Sequence, residues 1–235
     1  SSTTCHASRT VEVVEERREA PRLETTDTAY CGYMSTGQWM HPAHGSPWFF
    51  DAGAESLDFA YTGDMGRGVP EWERLRSPGD LGAWLAEHVG HVAREDASER
   101  DLADALILRD ALTRLYVAAA DREPFAADDV DTLNLFAAMP DIPPALAGGR
   151  RQAGAGRIRI AQALSTLARE AVANLAARDD GRIRRCDADD CRMVYRDESR
   201  TNSRRWCSMQ RCGNRAKVRA HRERARTART REDIG

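Results

Sequence analysis

Cys186-Asp187-Ala188-Asp189-Asp190-Cys191 and Cys207-Ser208-Met209-Gln210-Arg211-Cys212 are two cysteine pairs of equal spacing, and they decide how the last part of the chain folds. Fifteen residues separate Cys191 from Cys207, enough for one chain reversal that brings the pairs together. Four thiolates gathered in this way are the ligand set of a tetrahedral structural Zn²⁺ site, and they leave no coordination position open for catalysis. The sequence therefore predicts a structural zinc site made by Cys186, Cys191, Cys207 and Cys212.

Disulfide bonds and a regulatory dithiol are the competing interpretations of these cysteines. Disulfides require an oxidising compartment, whereas the first residues, Ser1 to His6, contain no apolar signal segment. Cys5 and Cys31 lie in a polar stretch and show no pairing pattern. In a reducing compartment, evenly paired cysteines more often bind metal or carry out redox chemistry. We therefore expect a cytoplasmic protein with bound zinc.

The segment after Cys212 is predicted to form a basic helix to about Arg229. Its arginines recur at intervals of four and three residues and so lie on one stripe: Arg215, Arg219, Arg222, Arg226 and Arg229. Residues 181–235 contain 17 Lys and Arg and 8 Asp and Glu, a net charge of +9, whereas residues 1–180 contain 18 and 29, a net charge of −11. This asymmetry predicts a polyanionic partner for the basic part of the chain.

A row of guanidinium groups can pair with phosphates or reach guanine edges in double-stranded DNA. A basic run can also be a solvated tail, but this one is fused to a zinc module and preceded by Asn202-Ser203-Arg204-Arg205, which favours nucleic acid. For Asn214 a structural role competes, because its side chain could brace the finger while Gly213 permits a tight turn. The predicted DNA contacts are Arg204, Arg205, Asn214, Arg215, Lys217, Arg219, Arg222 and Arg226.

The run from Arg185 to Lys217, in particular Ser203-Arg204-Arg205-Trp206-Cys207-Ser208-Met209 and Cys212-Gly213-Asn214-Arg215-Ala216-Lys217, resembles the CGNR zinc finger of bacterial proteins. That family joins the finger to an N-terminal ABATE domain. Leu57-Asp58-Phe59-Ala60-Tyr61-Thr62 is similar to the Leu-Asp-Phe-x-Asn-Thr signature of this domain, except that Tyr61 stands in place of Asn. The resemblance implies a stress-response transcription regulator that binds double-stranded DNA and senses a small-molecule effector with its N-terminal domain.

Helix signals dominate residues 47–180. Capping patterns and apolar periodicity predict helices that begin near Ser77, Ser98, Ala127 and Ala161. Leu57 and Phe59 are expected to pack into the core from a further helical turn. His88 and His91 lie one turn apart and are expected at or near the surface. No spacing typical of a catalytic site occurs, so we expect no enzyme activity.

The expected fold is mainly α, with few short strands. Residues 1–46 are predicted to be a disordered extension, residues 47–179 a helical ABATE-like domain, and residues 180–231 a small zinc-stapled finger that ends in a basic helix. Short strands are expected at 182–184 and 193–195, and another at 157–160. Two separate domains would mean that Cys207→Ser unfolds the finger and spares the helical domain.

The sequence also bears on membrane contact and on partners other than DNA. No apolar run approaches the roughly 18 residues that span a bilayer, so we expect a soluble protein without membrane contact. A docking module for a protein or an RNA would use the same arginines and is the alternative function. A homodimer is a further possible partner state, because one small finger alone binds DNA weakly.

Overall fold

The computed structural model describes residues 36–41, 46–90, 92, 96–143 and 158–232, and for residues 227–232 it describes the backbone alone. The helices are α1 (Glu55–Ala60), α2 (Pro78–His88), α3 (Glu99–Asp121), α4 (Ala127–Ala137), α5 (Ile160–Ala176) and α6 (Asn214–Glu232). The strands are β1 (Gln38–Met40), β2 (Trp48–Phe50), β3 (Ile183–Arg185) and β4 (Val194–Arg196). The mainly α fold predicted from the sequence is confirmed.

Strands β1 and β2 form an antiparallel hairpin in which Gln38 pairs with Phe50 and Met40 with Trp48. Met40 and Phe50 are buried in the main core, and Gln38 is buried beside them. The prediction that residues 1–46 are disordered is therefore wrong for β1. Three residues are too few to show an alternating pattern in the sequence, although the side chains at both ends of the strand point inward. The rest of the predicted extension lies outside the described residues, apart from 36, 37, 41 and 46.

Helix α1 is buried along its whole length, with Leu57 and Phe59 fully enclosed, as expected. Helix α5 closes its amino end: the carboxylate of Glu170 accepts hydrogen bonds from the backbone N–H groups of Glu55 at 3.1 Å and Ser56 at 2.6 Å. Those two N–H groups have no partner within a helix, and an anion is favoured at that end. A side chain more than one hundred residues away thus caps α1 and fixes it against α5.

Helices α2 and α3 begin where their capping patterns predict. The Ser77 side chain accepts from the Asp80 N–H, with Pro78 at the first helical position. Ser98 and Asp101 cap α3 reciprocally, each side chain bonding the other's backbone N–H. These local signals were sufficient to place both helices, whose apolar sides then form the centre of the core.

The expectation for His88 is wrong, because its ring is almost wholly buried. Its Nδ1 lies 3.1 Å from Oε2 of Glu55, and the ring stacks on Trp84 at 4.1 Å between centroids. Burial raises the pKa of Glu55, an effect opposed by the hydrogen bond with His88. A buried histidine next to a carboxyl group is paired, whereas a one-turn spacing alone suggested a solvated face. His91 lies outside the described residues.

The finger shares one core with the helices. Strands β3 and β4 form an antiparallel pair, as predicted within one residue, and Met193, Val194 and Tyr195 are fully buried in the main apolar cluster. The Arg196 N–H donates to the Ala52 carbonyl oxygen at 2.8 Å, which joins β4 to the segment before α1. The boundary near residue 180 is therefore a change of secondary structure within a continuous core.

Of the strand predicted at 157–160, the described residues 158–160 contain one paired position. Ile158 makes a single parallel bridge with Val92, and α5 begins two residues later. Residue 157 lies outside the described residues. No helix among the described residues has the length and apolar character needed to cross a bilayer.

Candidate metal centre and nucleic-acid interface

The four predicted cysteine ligands come together at one point. Cys186 follows β3, Cys191 precedes β4, Cys207 ends an extended loop, and Cys212 lies in a short π-helix, Met209–Gly213, that leads into α6. One sulfur atom from each residue lies within 4.8 Å of all the others. The Sγ atoms of Cys191 and Cys207 are 3.7 Å apart, and those of Cys207 and Cys212 are 3.5 Å apart. Zn–S bonds of about 2.3 Å place tetrahedral ligands about 3.8 Å apart, so the spacing fits zinc.

The same distances distinguish the competing interpretations. A disulfide bond is about 2.05 Å long, and all four cysteines are free thiols in this structure. Cys186, Cys207 and Cys212 are buried and Cys191 is partly exposed. Four thiolates at these separations would repel one another, so the cluster needs a cation, which is what a Zn²⁺ ion would supply.

Arg215 lies against this centre, where the sequence predicted a contact to DNA. Its Nη2 donates to the Sγ of Cys212 at 3.2 Å and its Nη1 donates to Oδ2 of Asp190 at 2.7 Å. The hydrogen bond to Cys212 raises the pKa of Arg215. Groups around a metal site that hydrogen-bond its ligands orient them and tune their charge. The geometry thus favours a supporting role at the metal centre for Arg215.

Gly213 and Asn214 are structural in different ways. Gly213 lies in the π-helix and is not among the positive-φ glycines, so the tight turn that the sequence allowed for does not form there. A Cβ at this position would lie 2.6 Å from Sδ of Met209 and 3.3 Å from Cδ1 of Trp206, so close packing explains the glycine. The Nδ2 of Asn214 donates to the Gln210 carbonyl oxygen at 3.3 Å and braces the turn before α6.

Two predicted DNA contacts are engaged within the protein. The guanidinium group of Arg204 donates to the carbonyl oxygens of Asp51, Trp206 and Cys207 and lies 4.3 Å from the centre of the Tyr195 ring. These bonds favour a structural role for Arg204, as a clamp between the finger and the hairpin. Arg205 is more exposed, although its Nε donates to Asp187 at 2.8 Å.

The acidic residues inside the first cysteine pair face the basic helix. Arg219 lies 3.4 Å from a carboxylate oxygen of Asp189 and 3.3 Å from one of Asp190, and Asp190 also accepts from Arg215. The arginine stripe therefore begins on the finger itself. Sequence reasoning missed these pairs, although three aspartates between two predicted ligands, opposite a basic helix, were a usable signal.

Beyond this contact, α6 is exposed on every side. Residues 217–226 are all exposed, and the ten residues include Lys217, Arg219, Arg222, Arg224 and Arg226. The side chains of Arg222 and Lys217 have no hydrogen-bond or ion-pair partner within the described part of the chain. A helix that is polar all round gains nothing from packing on its own core and is stabilised by another partner or by solvent-exposed pairs.

Tyr61 is a residue whose role the sequence did not reveal. It caps the carboxyl end of α1, is fully buried, and its hydroxyl both donates to the Val194 carbonyl oxygen at 3.1 Å and accepts from the Val194 N–H at 2.8 Å. Tyr61 is also the position that departs from the Leu-Asp-Phe-x-Asn-Thr pattern. The substituted side chain therefore forms a direct link between α1 and strand β4 of the finger.

Two protein-family models match consecutive parts of the chain. The model of the ABATE family, described as "Putative stress-induced transcription regulator", matches residues 53–178, more than half of the chain. The model of the CGNR zinc finger matches residues 182–225. Comparison with functionally characterised proteins gave no match. The four clustered cysteines are thus the structural zinc site of the finger, and the chain belongs to the ABATE family, with a CGNR zinc finger following its helical domain.

Proposed function

We propose that this protein is a transcription regulator that binds double-stranded DNA through α6 and the zinc finger, and that its helical domain responds to a small-molecule effector. The family supports a regulatory role. The finger has four cysteine ligands and so no open metal position, which supports a binding function rather than an enzyme. The zinc holds the finger together, and the chemistry of recognition comes from side chains of α6.

The observation that carries the proposal is the exposed run of α6. Ten consecutive helical residues, 217–226, project from the finger without a core to pack against. With a rise of about 1.5 Å per residue, this run is about 15 Å long. The diameter of an α-helix, about 10–12 Å with its side chains, fits the major groove of B-DNA, which is about 12 Å wide. Its positive side chains would release counterions from the phosphates, which is the main source of affinity for such a surface.

The arginine stripe divides into two parts. Arg215 and Arg219 lie on the acidic loop of the finger and orient the helix, whereas Arg222 lies one turn further along the same stripe and has no described partner. We therefore assign phosphate contact to Arg222 and Lys217 first. Arg226 lies on the same stripe, next along the helix.

The effector would act through α1. A cavity of about 300 Å³ lies between the carboxyl end of α1, the loop after it and α3, and its lining includes Ala60 and Gly63. These residues flank Tyr61, whose hydroxyl bonds strand β4 of the finger. A ligand that shifted the end of α1 would therefore displace the strand that lies between Cys191 and Cys207 in the chain.

The test compares Arg222→Ala with Arg100→Ala in the zinc-loaded full chain. Arg100 is an equally basic exposed residue on α3, with its side chain 91% exposed. Binding to a fluorescent duplex is measured by anisotropy at several salt concentrations. Arg222→Ala should weaken binding and flatten the slope of log K against log salt by about 0.9, the value for one phosphate contact. Arg100→Ala should leave both quantities unchanged.

Equal behaviour of the two variants would remove α6 from the interface. Parallel titrations with an RNA hairpin of the same length distinguish DNA binding from the alternative, an RNA partner. Tighter binding to RNA than to the duplex would favour the docking alternative, and binding to neither nucleic acid would favour a protein partner.

A further inference from the structure

Exposed apolar side chains gather where the β1–β2 hairpin meets the finger. Trp39 is 57% exposed, Phe49 42% and Met209 52%. The rings of Trp39 and Phe49 meet edge to face at 5.9 Å, and Phe49 and Met209 line the same groove. Large apolar groups in contact with one another at the surface are typical of a binding site, whereas isolated ones are not.

The groove between these elements has a volume of about 480 Å³ and is open to solvent. Phe49, Trp206 and Met209 supply its large apolar lining. Polar residues line it as well: Asp51, Ser203, Arg204, Arg205 and Ser208. Oδ1 of Asp51 accepts from the Gly53 N–H at 2.8 Å, while Oδ2 has no partner among the described residues.

Arginines lie over aromatic rings in and beside this groove. The guanidinium group of Arg205 lies 5.0 Å from the centre of the Trp206 ring, and both residues line the groove. That of Arg211 lies 3.8 Å from the centre of the Trp48 ring, and these two residues are close in the chain to the lining residues Met209 and Phe49. Met209 begins the π-helix that continues directly into α6, so the groove and the basic helix adjoin. A nucleic-acid strand bound along α6 would therefore lie next to the groove.

We infer that this groove receives one unpaired base of the nucleic acid bound by α6. The inference rests on the proposed function. A base fits the lining because it stacks on aromatic faces and because its amino groups can donate to the Asp51 carboxylate. The two arginines of the lining, Arg204 and Arg205, are already held by carbonyl oxygens and by Asp187, so the Asp51 carboxylate is left to disfavour a phosphate. The helical domain thus contributes to recognition through its hairpin, by reading an extrahelical base next to the duplex held by α6.

The experiment uses two probes and the zinc-loaded full chain. One probe is a fully paired duplex, and the other is the same duplex with a single extrahelical 2-aminopurine. Wild type should bind the second probe about tenfold more tightly and quench its fluorescence, since stacking of one base on an aromatic side chain contributes an effect of that order. Phe49→Ala and Met209→Ala should abolish the preference. Leu135→Ala on α4, 67% exposed, is the matched control and should retain it.

The outcomes separate the two claims. Arg222→Ala should weaken binding to both probes equally, because it removes a phosphate contact and leaves the groove intact. If wild type binds both probes equally, or if Met209→Ala retains the preference, the groove does not hold a base, and the role of α6 stands. If wild type binds neither probe, the proposed function fails. Met209→Ala carries the test should Phe49→Ala disturb the hairpin, which thermal unfolding will show.

Discussion

The hydroxyl of Tyr61 and the backbone of Val194 make two hydrogen bonds, at 3.1 Å and 2.8 Å, across 133 residues of sequence. One side chain of α1 thereby satisfies both backbone groups of a finger residue. Because Tyr61 and Val194 are each fully buried, water cannot replace these bonds. The contact therefore joins the zinc finger directly to the helical domain.

Tyr61→Phe should lower the free energy of unfolding by about 1–3 kcal/mol, because it leaves the buried N–H and C=O of Val194 without a partner. Urea denaturation followed by circular dichroism measures the change. Tyr116→Phe is the control: its hydroxyl is equally buried and bonds Ser56 and Asn174 within the helical domain. Only Tyr61→Phe should also speed zinc loss to a chelator. Equal rates of zinc loss in both variants would show that Tyr61 does not couple the two parts.

Cys207→Ser should destabilise the whole chain, in contrast to the sequence-based expectation that the helical domain is spared. Met193, Val194 and Tyr195 lie between Cys191 and Cys207 in the chain and are fully buried among the helices. Loss of the metal would loosen the strand that carries them and open part of the shared core. The thermal midpoint of the helical signal is the quantity to measure. An unchanged midpoint would mean that two independent domains exist after all.

Arg215→Ala should weaken zinc binding about 10- to 100-fold, the usual effect of removing a group that hydrogen-bonds a metal ligand. The bond from its Nη2 to the Sγ of Cys212 is the one that is lost. Arg219→Ala is the matched control, because Arg219 shares the Asp190 carboxylate and has no described bond to a cysteine. Competition with a chelator gives the affinities, and Co²⁺ spectra report on the thiolates. Similar affinities in the two variants would return Arg215 to the predicted DNA interface.

Glu55→Gln should make stability less dependent on pH. Burial raises the pKa of Glu55 above its ordinary value of 4.5, so the folded protein holds this proton more tightly than the unfolded chain. Its contribution to stability is therefore complete below about pH 4.5 and is lost as the pH rises through the raised pKa. The free energy of unfolding of Glu55→Gln minus that of wild type should grow over this range. A constant difference would show that Glu55 has the same pKa in both states.

Local signals were enough to predict much of the fold and the metal ligands. Serine caps and apolar periodicity placed α2 and α3, and equal cysteine spacing identified the four sulfurs, because each signal acts over a few neighbouring residues. The contacts that were missed span long distances. Glu170 caps α1 from α5, and Tyr61 bonds Val194, and no local pattern contains both partners.

The predicted DNA contacts show the same limit. A stripe of arginines can be found by counting, and α6 does carry it, but counting does not show which arginines are already paired. Arg204 is held by three carbonyl oxygens, and Arg215 by a cysteine sulfur and a carboxylate. Arg222 stays a predicted DNA contact, because the stripe leaves the acidic loop before reaching it. Charge patterns therefore identify the surface, and packing selects the residues.

The central claim is that the zinc-bound finger and α6 recognise duplex DNA. Selection from a random duplex pool at about physiological salt, with zinc-loaded and chelator-treated protein in parallel, tests it most directly. The zinc-loaded protein should enrich one sequence motif, and the chelator-treated protein should enrich none, because small zinc modules fold with their metal. Retention of the pool without enrichment of a motif, or equal enrichment without zinc, would contradict the account.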